Sequence, residues 1–130
     1  MYGSGAKQYQ QMNVQTSVMD ASPHQLITMM FDGLIGRLAT AKGFIGRKDY
    51  EGKSRALGSA ITIIGALQDA LDAERGGEIA ENLDRLYLYM TRRVFAAGVA
   101  NDTDIIDEVI GLVKTIKEGW DGIKDEVEAR

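Results

Sequence analysis

The chain contains no cysteine and, in 130 residues, only one proline, one histidine and one tryptophan. Without cysteine there is no disulfide framework and no thiol chemistry, and a reducing compartment is permitted. A single proline leaves long stretches free to be helical, since proline removes a backbone donor and breaks a helix interior. No apolar run approaches the roughly 20 residues that cross a bilayer, so membrane insertion is not expected. The first residues show no basic segment followed by an apolar one, which argues against a secretory signal and makes the cytoplasm the expected location. Lys and Arg number 15 against 19 Asp and Glu, giving a net charge of -4 with no basic cluster, so nucleic acid is not expected as a partner. The lone His24 has no second histidine or cysteine to share a metal with, and no cofactor is expected.

What is present is a strong helical pattern. At 130 residues and 45% hydrophobic content the chain has enough apolar material for one domain with one core. The segment SPHQLITMMFDG opens the first helix explicitly: Ser22 is an N-cap residue, Pro23 fits the first helical position, and Gln25 can close a capping box. Residues 1–21 before it are rich in Gly, Gln and Ser but carry Tyr2, Tyr9, Met12, Val14 and Val18, the pattern of a flexible N-terminal arm made to lie on a surface. After it, residues 22–130 read as four helices at about 23–47, 50–74, 78–100 and 103–127. Asp49, the Arg75–Gly77 break and Asn101 mark the boundaries between them. Short connections between helices of this length make antiparallel neighbours, so the expected fold is all-α, an antiparallel up-down four-helix bundle.

The apolar stripes differ in width. The third helix lines up Ile79, Leu83, Leu86, Tyr87, Met90, Val94 and Ala97, and the fourth Ile105, Val109, Leu112, Val113, Ile116, Trp120, Ile123 and Val127, both as ordinary core faces. The second helix is apolar over about half its circumference. Either the edge with Ala56, Ile63, Leu67 and Ala70 faces inward, or the edge with Leu57, Ile61, Ile64 and Leu71 does; the spacing leaves both open. A helix wedged between two neighbours would also account for the width. If four large aliphatic side chains stay half covered, a partner that buries them gains roughly 3 to 6 kcal/mol. Leu88, Phe95 and Val99 share the outer face of the third helix and mark a possible second contact patch. Many glycines, among them Gly36, Gly52, Gly65 and Gly111, fall within helices at about 1 kcal/mol each, a pattern of helices that flex or approach closely.

Chemistry is sparse by comparison. Glu74, Glu78, Glu81 and Asp84 cluster near the second break, but Arg75, Arg85, Arg92 and Arg93 are interspersed, which fits solvated ion pairs rather than acid/base catalysis. Gly76 and Gly77 lack the strand and lysine of a phosphate loop. No enzymatic activity is expected.

The order SPHQLITMMFDG, LDAERGGEIAENLDRLYLYMTRRV over residues 71–94, Asn101-Asp102, Glu108-Val109 and the late Trp120 resembles the FliS family of flagellar secretion chaperones, over nearly the whole chain. One departure is Leu88, where the family usually carries a polar or acidic residue in LYDYM. The resemblance implies a helical bundle that binds the disordered C-terminal segment of flagellin in the cytoplasm, keeps it from polymerising, and delivers it to the flagellar export gate. It also implies an N-terminal arm lying over part of the client surface, with Tyr9 at the family's early tyrosine. On this reading Tyr9, Met12 and Val14 share a groove with Leu57, Ile61, Ile64 and Leu71 until the client replaces them. Other flagellar regulators are further possible partners. The alternative is a structural helical adaptor or a homo-oligomer such as a homodimer, joined through the second helix and the Leu88/Phe95/Val99 patch.

Overall fold

A computed structural model describes residues 20–122, apart from the side chains of residues 73–75. Tyr9, Met12, Val14, Ile123 and Val127 therefore lie outside the described residues. Four helices follow in order: α1 (Pro23–Gly46), α2 (Tyr50–Asp69), α3 (Ala73–Ala100) and α4 (Thr103–Gly122). The capping box forms as the sequence predicts. Ser22 Oγ accepts from the Gln25 N–H at 3.1 Å, and the Gln25 side chain accepts from the Ser22 N–H at 2.9 Å. Asp49 caps α2 by accepting from the Gly52 N–H at 2.9 Å. Asp102 does the same for α4 through the N–H groups of Asp104 and Ile105.

The second break lies earlier than the sequence predicts. α2 stops at Asp69 rather than near residue 74, and the chain reverses over Ala70–Asp72. A turn of helix then starts at once, the Gly76 N–H donating to the Asp72 carbonyl at 2.7 Å. The glycine pair survives as a kink inside α3, with Gly77 at φ 52° and ψ -124°. An L side chain rarely adopts such a backbone, so glycine is what lets α3 continue past this point.

Each helix packs mainly on two neighbours, α1 on α2 and α4, and α3 on α2 and α4. Cross-helix bonds show the antiparallel order. His24 at the start of α1 meets Trp120 near the end of α4, and Lys53 at the start of α2 meets Gly98 near the end of α3. The core between them comprises Phe31, Leu34 and Leu38 of α1, Leu57, Ile64 and Leu67 of α2, Tyr87, Met90 and Val94 of α3, and Ile106, Val109 and Val113 of α4.

This packing answers the question left by the wide stripe of α2. Both edges contribute to the core, because α2 is held between α1 and α3: Ala56 and Leu67 from one edge are buried together with Leu57 and Ile64 from the other. Ile61 and Ile63 remain half-buried on the two flanks, Ile63 reaching toward Gly33 of α1. Ile79, expected in the core stripe of α3, is 72% exposed, because it sits just after the Gly77 kink. Most helical glycines have open space where a Cβ would stand, so close approach does not explain them. The tight positions are Gly52, with the Phe44 ring 2.6 Å away, and Gly76, with the Ala80 methyl 2.8 Å away, while Gly43 and Gly98 each have a neighbour at 3.3 Å.

Candidate functional site

Four of the residues singled out by the sequence converge on one groove. Leu57 and Ile61 of α2 face Phe95 and Val99 of α3 across a furrow of about 280 Å³, which Ser54, Gly58, Val94 and Gly98 complete. Phe95 is 60% exposed and Val99 88% exposed, while Leu57 forms the floor at 5%. The furrow has a local cause. Gly58 and Gly98 present no side chains to fill it, and the Leu57 methyl leans to 3.3 Å from where a Cβ on Gly98 would be. The two patches expected separately, on α2 and on α3, are thus two walls of a single surface. Leu88 stands two turns before Phe95 on the same outer face and is also exposed, so the apolar strip continues along α3.

The other α2 residues lie elsewhere. Ile64 is fully buried and offers no side-chain surface to a partner, since its position on α2 points to the middle of the bundle. Leu71 lies beyond the end of α2 and lines a different hollow, about 430 Å³ in volume, walled by residues of all four helices. Phe31, Leu67, Ile79, Leu83, Tyr87, Ile116 and Trp120 supply most of its remaining wall.

Two structural anchors of these surfaces were not expected. Lys53 is nearly buried at one end of the groove, where its ammonium donates to the Gly98 carbonyl at 2.8 Å and to Asn101 Oδ1 at 2.7 Å. It thereby ties the start of α2 to the last carbonyls of α3, where a positive charge is favoured by the helix dipole. A signal existed: Lys53 lies three and four residues before Ala56 and Leu57, on the core face. The second anchor is His24, 3% exposed, which stacks on Trp120 with ring centroids 4.5 Å apart and planes 7° from parallel. His24 Nε2–H donates to the Trp120 carbonyl at 2.8 Å, and the indole N–H donates to the His24 carbonyl at 3.1 Å. These two bonds pair α1 reciprocally with α4.

The ionic contacts on the α4 side of α3 are structural. Tyr89 donates to Glu108 at 2.9 Å and Arg93 donates to its other oxygen at 2.7 Å, bracing α3 on α4. The Arg93 bond, then that from Tyr89, holds the Glu108 carboxyl below its usual pKa. Among the described residues no cluster of histidine and acidic side chains is placed to hold a metal ion, and no helix is long and apolar enough to cross a membrane.

Comparison with known proteins identifies the architecture. The chain shares 50% identity over 124 residues with the flagellar secretion chaperone FliSB of Pseudomonas aeruginosa, covering 95% of this chain and 98% of that one. With the flagellar secretion chaperone FliS of Salmonella typhimurium it shares 49% over 118 residues, 90% of this chain and 87% of the relative. A crystal structure of a bacterial flagellar chaperone superimposes with a TM-score of 0.75 at 15% identity, over 93% of this chain and 98% of the other, which establishes the likeness of fold. The profile of the family described as flagellar protein FliS matches residues 5–127, and the chain belongs to that family, one of secretion chaperones and not of enzymes.

Proposed function

We propose that the chain is a cytoplasmic export chaperone that binds the disordered C-terminal segment of flagellin, keeps it from polymerising, and presents it to the flagellar export gate. The observation that carries this reading is the α2–α3 groove: Leu57, Ile61, Phe95 and Val99 form an open apolar furrow on the side of the bundle. Such a furrow suits the apolar ridge of a helix that forms on binding. A disordered segment loses conformational entropy as it orders, and burying two or three large side chains at roughly 1.5 to 3 kcal/mol each offsets that loss. Leu88 extends the strip and would lengthen the contact.

The N-terminal arm enters as a competitor. Tyr9, Met12 and Val14 cover part of this surface when no client is bound, and the client displaces them. Ile64 takes no direct part, and Leu71 contributes only if the client reaches past the end of α2. The test is a heteronuclear NMR titration of the full chain with a peptide of the flagellin C-terminal segment. Ile61→Asp and Phe95→Asp should each weaken binding at least about tenfold with the fold intact, because these side chains lie on the flank and the outside of the bundle. Deleting residues 2–16 should raise the affinity. Shifts confined to other faces, with both variants binding as the parent, would refute the groove. A mass that doubles with concentration in the absence of client, and is reset by Phe95→Asp, would favour the homodimer instead.

A further inference from the structure

The hollow that Leu71 lines has no charged side chain in its wall, and its aromatic members, Phe31, Tyr87 and Trp120, come from three different helices. Three of the lining side chains carry a polar group, and two of those groups are committed. The Thr115 hydroxyl donates to the Gly111 carbonyl at 3.0 Å, and the Trp120 indole N–H donates to the His24 carbonyl at 3.1 Å. The third is the hydroxyl of Tyr87, a residue only 3% exposed. Among the described residues this hydroxyl has no hydrogen-bond partner, yet no sealed side-chain polar atom is left without one, so it opens on the hollow instead of the core. Burial, with no hydrogen bond contributing, pushes its pKa up to about 12. The apolar surface continues past the mouth, since Ile79, one of the lining residues, is 72% exposed.

An uncharged wall with one uncommitted hydroxyl restricts what fits. A carboxylate or an ammonium would be buried there without a counter-charge, and a purely aliphatic group would seal the Tyr87 hydroxyl from water without replacing its hydrogen bond. A tyrosine side chain meets both conditions. Its ring packs on aromatic walls, and its hydroxyl both donates and accepts, so it pairs with Tyr87 in either sense. The exposed Ile79 calls for a carrier larger than a free ring, because a helix that holds the tyrosine covers Ile79 with the residue one turn away. From the unpartnered Tyr87 hydroxyl inside an uncharged, aromatic hollow we infer a second docking site, which takes a helical segment of a protein partner through one inserted tyrosine, with an aliphatic side chain one turn along lying on Ile79. The site is separate from the groove and stands whether or not the groove holds flagellin.

The test uses the full chain and three synthetic helical peptides without tryptophan, identical except for tyrosine, phenylalanine or glutamate at the anchor position and each with leucine one turn later. Binding is followed by the fluorescence of Trp120, the chain's single tryptophan, which lines the hollow. The tyrosine peptide should bind about three- to tenfold tighter than the phenylalanine peptide, the net effect of one hydrogen bond, and the glutamate peptide at least about tenfold weaker than either. Tyr87→Phe, which keeps the ring and deletes the hydroxyl, should bring the tyrosine and phenylalanine peptides to within about twofold of each other. Gly119→Leu, which puts a side chain into the hollow, should weaken both at least about tenfold, and Ile79→Ser should weaken both about three- to tenfold. Ile61→Asp, in the wall of the groove, should leave all three affinities in place. A tyrosine preference that is absent in the parent or survives Tyr87→Phe, binding indifferent to Gly119→Leu, or loss of binding with Ile61→Asp would each overturn the proposal. Peptide binding that appears only after residues 2–16 are deleted would assign the hollow to this chain's own arm, and self-association that Gly119→Leu abolishes would assign it to a second copy; either result overturns the proposal as well.

Discussion

Replacing Lys53 by methionine keeps the aliphatic stem and removes the ammonium, leaving the Gly98 carbonyl and Asn101 Oδ1 without the donor that reaches them at 2.8 and 2.7 Å. A hydrogen bond to a charged group contributes about 1.5 to 3 kcal/mol, and its loss also leaves a part-buried acceptor to be rehydrated. The favourable position of a cation at the end of α3 contributes a further 0.3 to 1 kcal/mol or so. Against this, burying a charge carries a desolvation cost that methionine avoids. Together these set the expected loss at about 2 to 3 kcal/mol. Urea unfolding followed by circular dichroism should show the midpoint falling by about 1 to 1.5 M for a slope near 2 kcal/mol/M, with the slope unchanged. Asn101→Gly retains the positive φ of 52° while removing the side-chain acceptor, and its effect should be strongly reduced in the Lys53→Met background. A midpoint shift below about 0.3 M, or fully additive effects of the two substitutions, would refute the reasoning.

Three further outcomes are expected. His24→Ala removes the ring stacked on Trp120 and its bond to the Trp120 carbonyl, and should cost about 2 to 4 kcal/mol with a red shift of tryptophan emission; unchanged emission would contradict the stacked arrangement. Burial pushes the Tyr87 hydroxyl from 10.0 up to about 12. The unfolded chain therefore loses this proton first, stability is unaffected below about pH 10 and falls between about pH 10 and 12, and Tyr87→Phe should remove that part of the decline in alkaline unfolding curves. Gly36→Ala and Gly111→Ala face open space within helices, so each should stabilise by about 0.5 to 1 kcal/mol, and calorimetry showing a lower Tm for either would mean that flexibility there has a packing origin.

Local signals were the legible ones. Ser22, Pro23 and Gln25 define the start of α1 without reference to the rest of the chain, and Asp49 and Asn101 mark two of the three turns. The period of the stripes likewise assigns a face to each helix. It does not say how deep a side chain lies on that face, which depends on where the neighbours stand: Ile64 and Ile61 share the apolar arc of α2, yet one is sealed and the other flanks an open groove. The groove was legible as two halves, Leu57 with Ile61 and Phe95 with Val99, but their meeting depends on the register of α2 against α3, which Lys53 and Gly98 fix. Ile79 misled because its period is correct while the Gly77 kink breaks the axis just before it. The His24–Trp120 pair joins residues 96 positions apart, and no local pattern carries such information.

That pair has a mechanical consequence. Because the outer ends of α1 and α4 lie side by side, tension applied to the chain on either side of the described bundle bears first on the His24–Trp120 contact. The load then parts the two helices one turn at a time, like opening a zip, instead of sliding their whole interface at once. A protein pulled from its ends in an optical trap should yield at low force, and His24→Ala should lower the first rupture further.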